Sequence, residues 1–245
     1  MKLFEAFGRY VQLIAGMFGR PEKMSMYWRE MFRQMNSIGI ESIPIVLVVS
    51  AFVGAVTAVQ FAYQIQDFPI PTYYIGFVVR DVMLIEMAPT VSCMILAGKV
   101  GSNIASELGN MRISEQIDAL EIMGINTIPY LVGTKIIAAI IMIPLLIILA
   151  ALVGIFGGLI STIGSDLASL AEFEQGLRYF FLPFNITLMM IKGTTFAFLL
   201  SSIACYQGFY VKGGAVEIGV ASTRAVVVTN ILILLFDFLL AFMLL

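Results

Sequence analysis

Three ionisable residues interrupt runs of the sequence that are otherwise apolar: Glu86 in LIEMAP, Lys192 in MMIKGTTF and Asp237 in LLFDFLL. An unpaired charge at the centre of a bilayer costs about 2.5 to 3.5 kcal/mol on insertion scales, so such side chains should pair, face a wet cavity or change protonation. They are therefore candidates for a substrate cavity or a proton relay. The alternative is a buried ion pair, Lys192 with Asp237 or with Glu86, that only fixes helix register.

The residue types that are missing restrict the chemistry further. The sequence contains no histidine and no G-x-x-x-x-G-K-[ST] phosphate loop. His-based acid/base catalysis, Ser-His-Asp triads and most transition-metal sites are excluded, and ATP hydrolysis by this chain is not expected. A lipid-modifying enzyme would need a nucleophile, a metal cluster or an acid/base pair near an interface, and the sequence offers no histidine and no clustered carboxylates there. The sequence therefore predicts a chain that is not an enzyme by itself and binds no metal or cofactor.

The elements that must position these residues follow from composition. Hydrophobic residues make up 60% of the chain and charged residues only 12%, unlike the balance of a soluble domain. Several apolar runs are long enough to cross roughly 30 Å of hydrocarbon. They are apolar on every face, which favours helices over barrel strands. We expect an all-α integral membrane protein with five transmembrane helices, near Ile43 to Ala62, Tyr73 to Lys99, Ile136 to Ile163, Phe180 to Gln207 and Ala225 to Leu245.

The sequence favours one domain over residues 1–245, divided into an interfacial amphipathic segment, 1–38, and a transmembrane bundle, 39–245. Residues 1–20 place apolar side chains at helical spacing, which predicts a helix lying in the membrane interface; a signal peptide is the alternative, but a continuous apolar core and a cleavage site are missing. Cys93 and Cys205 fall inside predicted spans, so a disulfide is not expected.

Charges beside the spans predict the orientation, because positively charged loops stay in the cytoplasm. With the N-terminus inside, the cytoplasmic segments hold nearly all basic residues: Lys2, Arg9, Arg20, Lys23, Arg29, Arg33, Lys99, Arg112, Lys135, Lys212 and Arg224. The opposite side carries Asp67, Asp166, Glu172 and Glu174. The N-terminus and the 97–135 segment are thus predicted to be cytoplasmic and the C-terminus to lie across the membrane.

The segment 97–124 is the most polar interruption of the apolar pattern. It begins with Ala97, Gly101, Ala105 and Gly109, a small residue at every fourth position. Such a ridge lets another helix backbone approach closely, although chance in a Gly- and Ala-rich membrane protein is an equal alternative.

A short helix should follow that ridge. Ser114 is a candidate N-cap, with Glu115 and Gln116 in the first turn, and Gly124 suits a left-handed C-terminal cap. Glu115, Asp118 and Glu121 share one face by i,i+3 spacing, while Ile117, Leu120 and Met123 occupy another. The acidic stripe is either a solvated face or part of a docking helix that fits a partner.

Aromatic residues gather in the connection between the first two spans: Phe61, Tyr63, Phe68, Tyr73, Tyr74 and Phe77. Aromatic side chains at a membrane interface commonly act as belt anchors. The alternative is that they rim a cavity for lipid tails.

Two long stretches of the sequence resemble one family. The run GSNIASELGNMRISEQIDALEIMGINTIPYLV, residues 101–132, is similar to the signature of the MlaE (YrbE) permeases, the membrane subunits of ABC transporters that work with MCE-domain proteins in lipid trafficking. The run ACYQGFYVKGGAVEIGVASTRAVVVTNILILLFDFLL, residues 204–240, resembles the C-terminal pattern of that family.

The resemblance implies a homodimeric permease in the bacterial inner membrane. Its cytoplasmic helix, carrying Ser114, Glu115, Gln116, Asp118, Ala119 and Glu121, would dock on a separate ATP-binding subunit that uses ATP and Mg²⁺. An MCE-domain protein on the other side would exchange phospholipid at a cavity between the two permease subunits, in support of outer-membrane lipid asymmetry. Glu86, Lys192 and Asp237 occupy positions that are also ionisable in the family.

Two alternatives from other classes remain open. An ion-coupled secondary transporter would use the three buried ionisable residues as its relay, but the inverted internal repeats usual in such folds are not evident. A passive membrane scaffold would only anchor an ATPase and an MCE protein, and it would tolerate changes at the buried charges.

Overall fold

The computed structural model describes residues 2–17, 19, 24–66 and 68–244. Arg20, Lys23, Asp67 and Leu245, which entered the predictions above, lie outside the described residues. Throughout the described chain the regular structure is helical, and five helical stretches are long and apolar enough to cross a membrane: Met24–Ile65, Tyr74–Ile113, Ile128–Gly164, Phe184–Phe209 and Ala215–Leu244. The predicted all-α fold with five spans is confirmed.

Eleven α-helices make up most of the described chain. Their bounds are α1 Lys2–Gly16, α2 Met24–Ile38, α3 Ile43–Ile65, α4 Tyr74–Val82, α5 Ser92–Leu96, α6 Ser102–Ile113, α7 Gln116–Ile122, α8 Thr134–Gly164, α9 Leu170–Arg178, α10 Phe184–Phe209 and α11 Ala215–Leu244. A short 3₁₀ turn, Ile40–Ser42, leads into α3. The second and fifth spans are longer than predicted because the helix continues through flanking polar residues that the apolar pattern does not include.

Three stretches between α-helices are π-helical: Met83–Val91, Ala97–Gly101 and Ile128–Gly133. The first includes Pro89, which has no backbone N–H to donate and so disturbs the regular ladder. π-helical turns are rare and occur often at functional sites. Both Glu86 and Lys99 lie on such a stretch.

The chain forms two compact units. The first comprises Met1–Ser42, Cys93–Ile143 and Thr195–Phe238, and the second comprises Ile43–Ser92, Pro144–Thr194 and Leu239–Leu245.

In the first unit, Tyr10 of α1 contacts α10. Leu13 is fully buried, while Phe4, Phe7 and Val11 remain exposed on the helix. The hydroxyls of Tyr10 and Ser202 lie 2.9 Å apart in a hydrogen bond. This helix therefore has one face packed on protein and an apolar face available to lipid, as expected of an interfacial helix.

In the second unit, glycines allow helix backbones to touch. A methyl group added at Gly54 would lie 1.8 Å from the carbonyl oxygen of Gly154, and one added at Gly76 would lie 2.3 Å from that of Phe173. Glycine is therefore required where α3 meets α8 and where α4 meets α9. The resulting core includes Val79, Met83, Ala150, Phe173 and Leu188, each at most 3% exposed.

Candidate functional site

Lys192 and Glu86 form an ion pair within the second unit. The Lys192 ammonium donates to Glu86 Oε2 at 2.8 Å and to the Ile85 carbonyl at 3.1 Å. The two side chains are exposed to very different extents, 0% for Lys192 and 43% for Glu86. Glu86 therefore presents a carboxylate on the surface of the chain within a membrane span, where lipid hydrocarbon would solvate it poorly.

Asp237, the third ionisable candidate, lies on α11 and belongs to the first unit. Its side chain is partly buried. The pairing of Lys192 with Glu86, which the sequence suggested, is present in the structure.

Three of the predicted aromatic residues come together with a fourth that the sequence analysis did not select. Tyr73 and Tyr74 stack with ring centroids 4.7 Å apart, and Tyr179 lies 5.2 to 5.9 Å from Tyr73, Tyr74 and Phe77. By contrast, the rings of Phe61, Tyr63 and Phe68 make no ring contact within the described chain, and Tyr63 and Phe68 are exposed. The aromatic residues between the first two spans thus divide into two groups. Tyr73, Tyr74 and Phe77 pack with Tyr179, whereas Phe61, Tyr63 and Phe68 stand apart from that cluster.

Arg80 fixes the segment after α9 in that cluster. Its side chain is 3% exposed, and its guanidinium donates to the carbonyls of Leu177, Tyr179 and Phe180 at 2.6, 2.9 and 3.4 Å. It also pairs with Asp81 at 2.8 Å. A planar fork of five donors suits several carbonyls at once, so Arg80 satisfies backbone groups that the end of α9 leaves unpaired.

The start of α9 is fixed by a capping box. Ser169 Oγ accepts from the Glu172 backbone N–H, and the Glu172 carboxylate accepts from the Ser169 backbone N–H. The Thr72 hydroxyl also donates to that carboxylate. The hydrogen bonds from Thr72 and from Ser169 lower the pKa of Glu172 to about 2.

The short helix predicted after residue 113 exists but begins differently. Ser114 is not its N-cap: the Ser114 hydroxyl donates back to the Asn110 carbonyl at 2.7 Å and so belongs to the end of α6. Glu115 takes the capping position with φ 57°, and α7 has seven residues rather than about nine. The expected left-handed cap at Gly124 is confirmed, with φ 81° and bonds from Gly124 and Ile125 to the carbonyls of Glu121 and Leu120.

The surface of α7 also differs from the prediction. Asp118 is paired with Arg112 at 2.7 Å, and Glu121 accepts from the Thr127 hydroxyl at 2.8 Å, so two carboxylates of the stripe have partners in the same chain. Ile117 is fully buried and anchors the helix, whereas Ile122 is 87% exposed and Met123 is 67% exposed. The exposed surface of α7 is therefore more apolar than the sequence pattern indicated, and the sequence analysis did not select Ile122.

A second charged network lies in the first unit. Lys135 is 1% exposed and pairs with Glu107, which in turn lies 3.4 Å from Arg33 of α2. Arg33 also contacts Glu30 at 2.7 Å. The network joins α2, α6 and α8, and the sequence analysis had treated its basic members only as topology signals.

The small-residue ridge is buried along its whole length, at Ala97, Gly101, Ala105 and Gly109. Close backbone contact occurs at one point: a methyl group added at Gly208 of α10 would lie 2.6 Å from the Ala105 carbonyl oxygen. Gly101 has open space around the corresponding position, and Gly109 meets only the side chains of Ile218 and Val211.

The five spans and the charged residues inside them define a polytopic membrane protein. Sequence comparison identifies the family: the chain matches permease MlaE over residues 31–243 and belongs to the MlaE permease family. Together with the apolar helices, this makes it a multi-pass protein of the inner membrane.

Three relatives illustrate the range of the family. A probable ABC transporter permease protein of Rickettsia prowazekii is 36% identical over 89% of this chain and 83% of its own length. Protein TRIGALACTOSYLDIACYLGLYCEROL 1 of Arabidopsis thaliana chloroplasts is 30% identical over 96% of this chain and 67% of its own. The intermembrane phospholipid transport system permease protein MlaE of Haemophilus influenzae is 29% identical over 97% of this chain and 91% of its own.

Proposed function

We propose that this chain is the permease subunit of an ATP-driven ABC transporter that moves phospholipid or a related lipid between the inner membrane and an MCE-domain partner. The observation that carries the proposal is the family match over residues 31–243, since a relative in that family is a phospholipid transport permease. The transporter would support outer-membrane lipid asymmetry. The permease would act as a homodimer, with ATP and Mg²⁺ bound on a separate subunit.

The geometry of α7 supports a coupling role. The helix ends at the Gly124 cap, is anchored by the buried Ile117 and is tied to α6 by the ion pair of Asp118 with Arg112. A stiff, anchored element can transmit the movement of an ATP-binding partner to the spans as a rigid body, which a mobile loop could not. The docking surface would include Ser114, Glu115, Gln116, Ala119 and Ile122, all exposed.

The lipid cavity would be lined near Glu86 and by the exposed aromatic residues. Glu86 is half-exposed and is held by a fully buried ammonium, so its carboxylate keeps a defined position without being covered by its own chain. Asp237 and the aromatic residues at Phe61, Tyr63 and Phe68 are the further lining candidates. A single carboxylate among apolar side chains suits a ligand with a polar headgroup and apolar tails.

Co-expression tests the proposal directly. The chain, purified in mild detergent, should bring down an ATP-binding subunit and an MCE-domain subunit, and the reconstituted complex should move labelled phospholipid only with ATP and Mg²⁺. The Ile122→Glu variant should insert normally but lose the ATP-binding subunit, because a charge replaces an exposed apolar contact. Gln175→Ala, an exposed change on α9, is the control, and we expect it to retain assembly.

Two results would contradict the proposal. A lone chain that transports along an ion gradient without nucleotide would favour the secondary transporter. The passive scaffold would be favoured if both partners copurify but no lipid moves, and if the Lys192→Met variant assembles with them as the wild type does.

A further inference from the structure

A polar cavity of about 450 Å³ lies in the first unit, and none of its lining residues belongs to α7 or to the ion pair of Lys192 with Glu86. It is bounded by the end of α2 and the following turn, by the π-helical stretch with the start of α6, and by α11. Only Ile38 and Val100 among its lining residues are apolar. Its size falls within the roughly 300 to 1,000 Å³ range of small-molecule sites.

Several side chains in this cavity have hydrogen-bonding capacity to spare. Ser37, Asn103 and Ser106 line it, and their side chains form no hydrogen bond within the described part of the chain. Lys99 donates to the Glu41 carbonyl, which uses one of the three donors of its ammonium. The cavity therefore offers unused hydrogen-bond donors and acceptors to a polar ligand.

The two charges of the cavity have opposite signs and are not paired with each other. Lys99 and Glu41 both line it, and no salt bridge joins their side chains among the described residues. An anion alone would leave the Glu41 carboxylate unmatched, and a cation alone would leave the Lys99 ammonium unmatched. A zwitterion with a phosphodiester beside an ammonium would satisfy both.

The position of the cavity in the chain identifies the source of such a group. Glu41 stands two residues before the first apolar span begins at Ile43, and Lys99 ends the apolar part of the second span. Residues at these places lie at the level of lipid headgroups. From this geometry we propose that the cavity binds the headgroup of a zwitterionic, amine-bearing phospholipid, with Lys99 on the phosphate and Glu41 on the ammonium.

This site shares no lining residue with the proposed transport cavity, and all of its lining belongs to one chain. Its test can therefore fail while the proposed function stands, and the reverse also holds. The full chain is purified in mild detergent with equal amounts of phosphatidylethanolamine and phosphatidylglycerol of the same acyl chains, and bound lipid is counted by native mass spectrometry.

We expect the wild-type chain to retain phosphatidylethanolamine in preference to phosphatidylglycerol. Lys99→Met should lower phosphatidylethanolamine occupancy about tenfold, because a charge-assisted hydrogen bond is lost. Glu41→Gln should abolish the preference between the two lipids while phosphatidylglycerol binding persists. Glu41 is exposed, so this second variant should fold even if the first does not. Lys212→Met, which changes an exposed lysine outside the cavity, is the matched control and should bind lipid as the wild type does.

Soluble competitors distinguish a lipid from a free phosphate. Glycerophosphoethanolamine should displace the lipid, whereas the same concentration of inorganic phosphate should not. Displacement by inorganic phosphate alone would overturn the lipid assignment. Equal retention of the two lipids by the wild-type chain, or unchanged retention after Lys99→Met, would overturn the proposal as a whole.

Discussion

Glu172 shows how one carboxylate can link the stability of a helix to pH. Its pKa is lowered to about 2 by the hydrogen bonds from Thr72 and Ser169. A carboxylate with a lowered pKa in the folded state stabilises that state above its ordinary pKa, and the contribution disappears as the pH falls through the folded value. The capping box should therefore be intact at neutral pH and weaken between about pH 4.5 and pH 2.

We predict that Glu172→Gln lowers the melting temperature of the purified chain at pH 7, and that the difference from wild type shrinks as the pH is lowered toward 3. The reason is that protonation removes the wild type's advantage, while the amide does not titrate. Thermal unfolding in detergent at several pH values measures this. Gln175→Ala, exposed on the same helix, is the control; a difference that stays constant with pH would contradict the prediction.

The sequence singles out the ionisable residues inside the spans, but it could not predict their geometry. Lys192 and Glu86 are 106 positions apart, so their pairing depends on the packing of two spans. The role of Arg80 was harder still to predict, because its partners are the backbone carbonyls of Leu177, Tyr179 and Phe180. Every residue has a backbone carbonyl, so no residue type in the sequence indicates such a partner.

Among the helices, apolar length predicted the five spans but not the shorter elements. The helix α9 was missed although Ser169 and Glu172 have the S-x-x-E spacing of a capping box. The start of α7 was misplaced because Ser114 can bond either forward to a new helix or back to Asn110, and it bonds back. Where local hydrogen bonding offers two solutions, tertiary contacts decide between them.

Close helix packing in the first unit gives a test of the small-residue ridge. We predict that Gly208→Ala destabilises the chain strongly, since the added methyl group would lie 2.6 Å from the Ala105 carbonyl oxygen. Gly101→Ala should be tolerated and should even stabilise by about 0.5 to 1 kcal/mol through helix propensity, because its added methyl group meets open space. Melting temperatures in detergent compare the two, and equal losses would contradict this account.

An odd number of spans would place the two ends of the chain on opposite sides of the membrane, and the distribution of Lys and Arg predicts that the N-terminus faces the cytoplasm. The native cysteines make this testable. Cys93 and Cys205 are both 0% exposed, so a membrane-impermeant maleimide should leave the wild-type chain unlabelled. Single cysteines placed at exposed positions then report the side on which they lie.

We predict that Ser114→Cys is labelled in inside-out vesicles and protected in spheroplasts, and that Glu174→Cys shows the opposite pattern. Both positions are exposed and lie outside the apolar parts of the spans, so the substitutions should not disturb insertion. The result matters for mechanism, because α7 can meet a cytoplasmic ATP-binding subunit only if Ser114 faces the cytoplasm. A reversed labelling pattern would place α7 on the wrong side and would remove it as the coupling element.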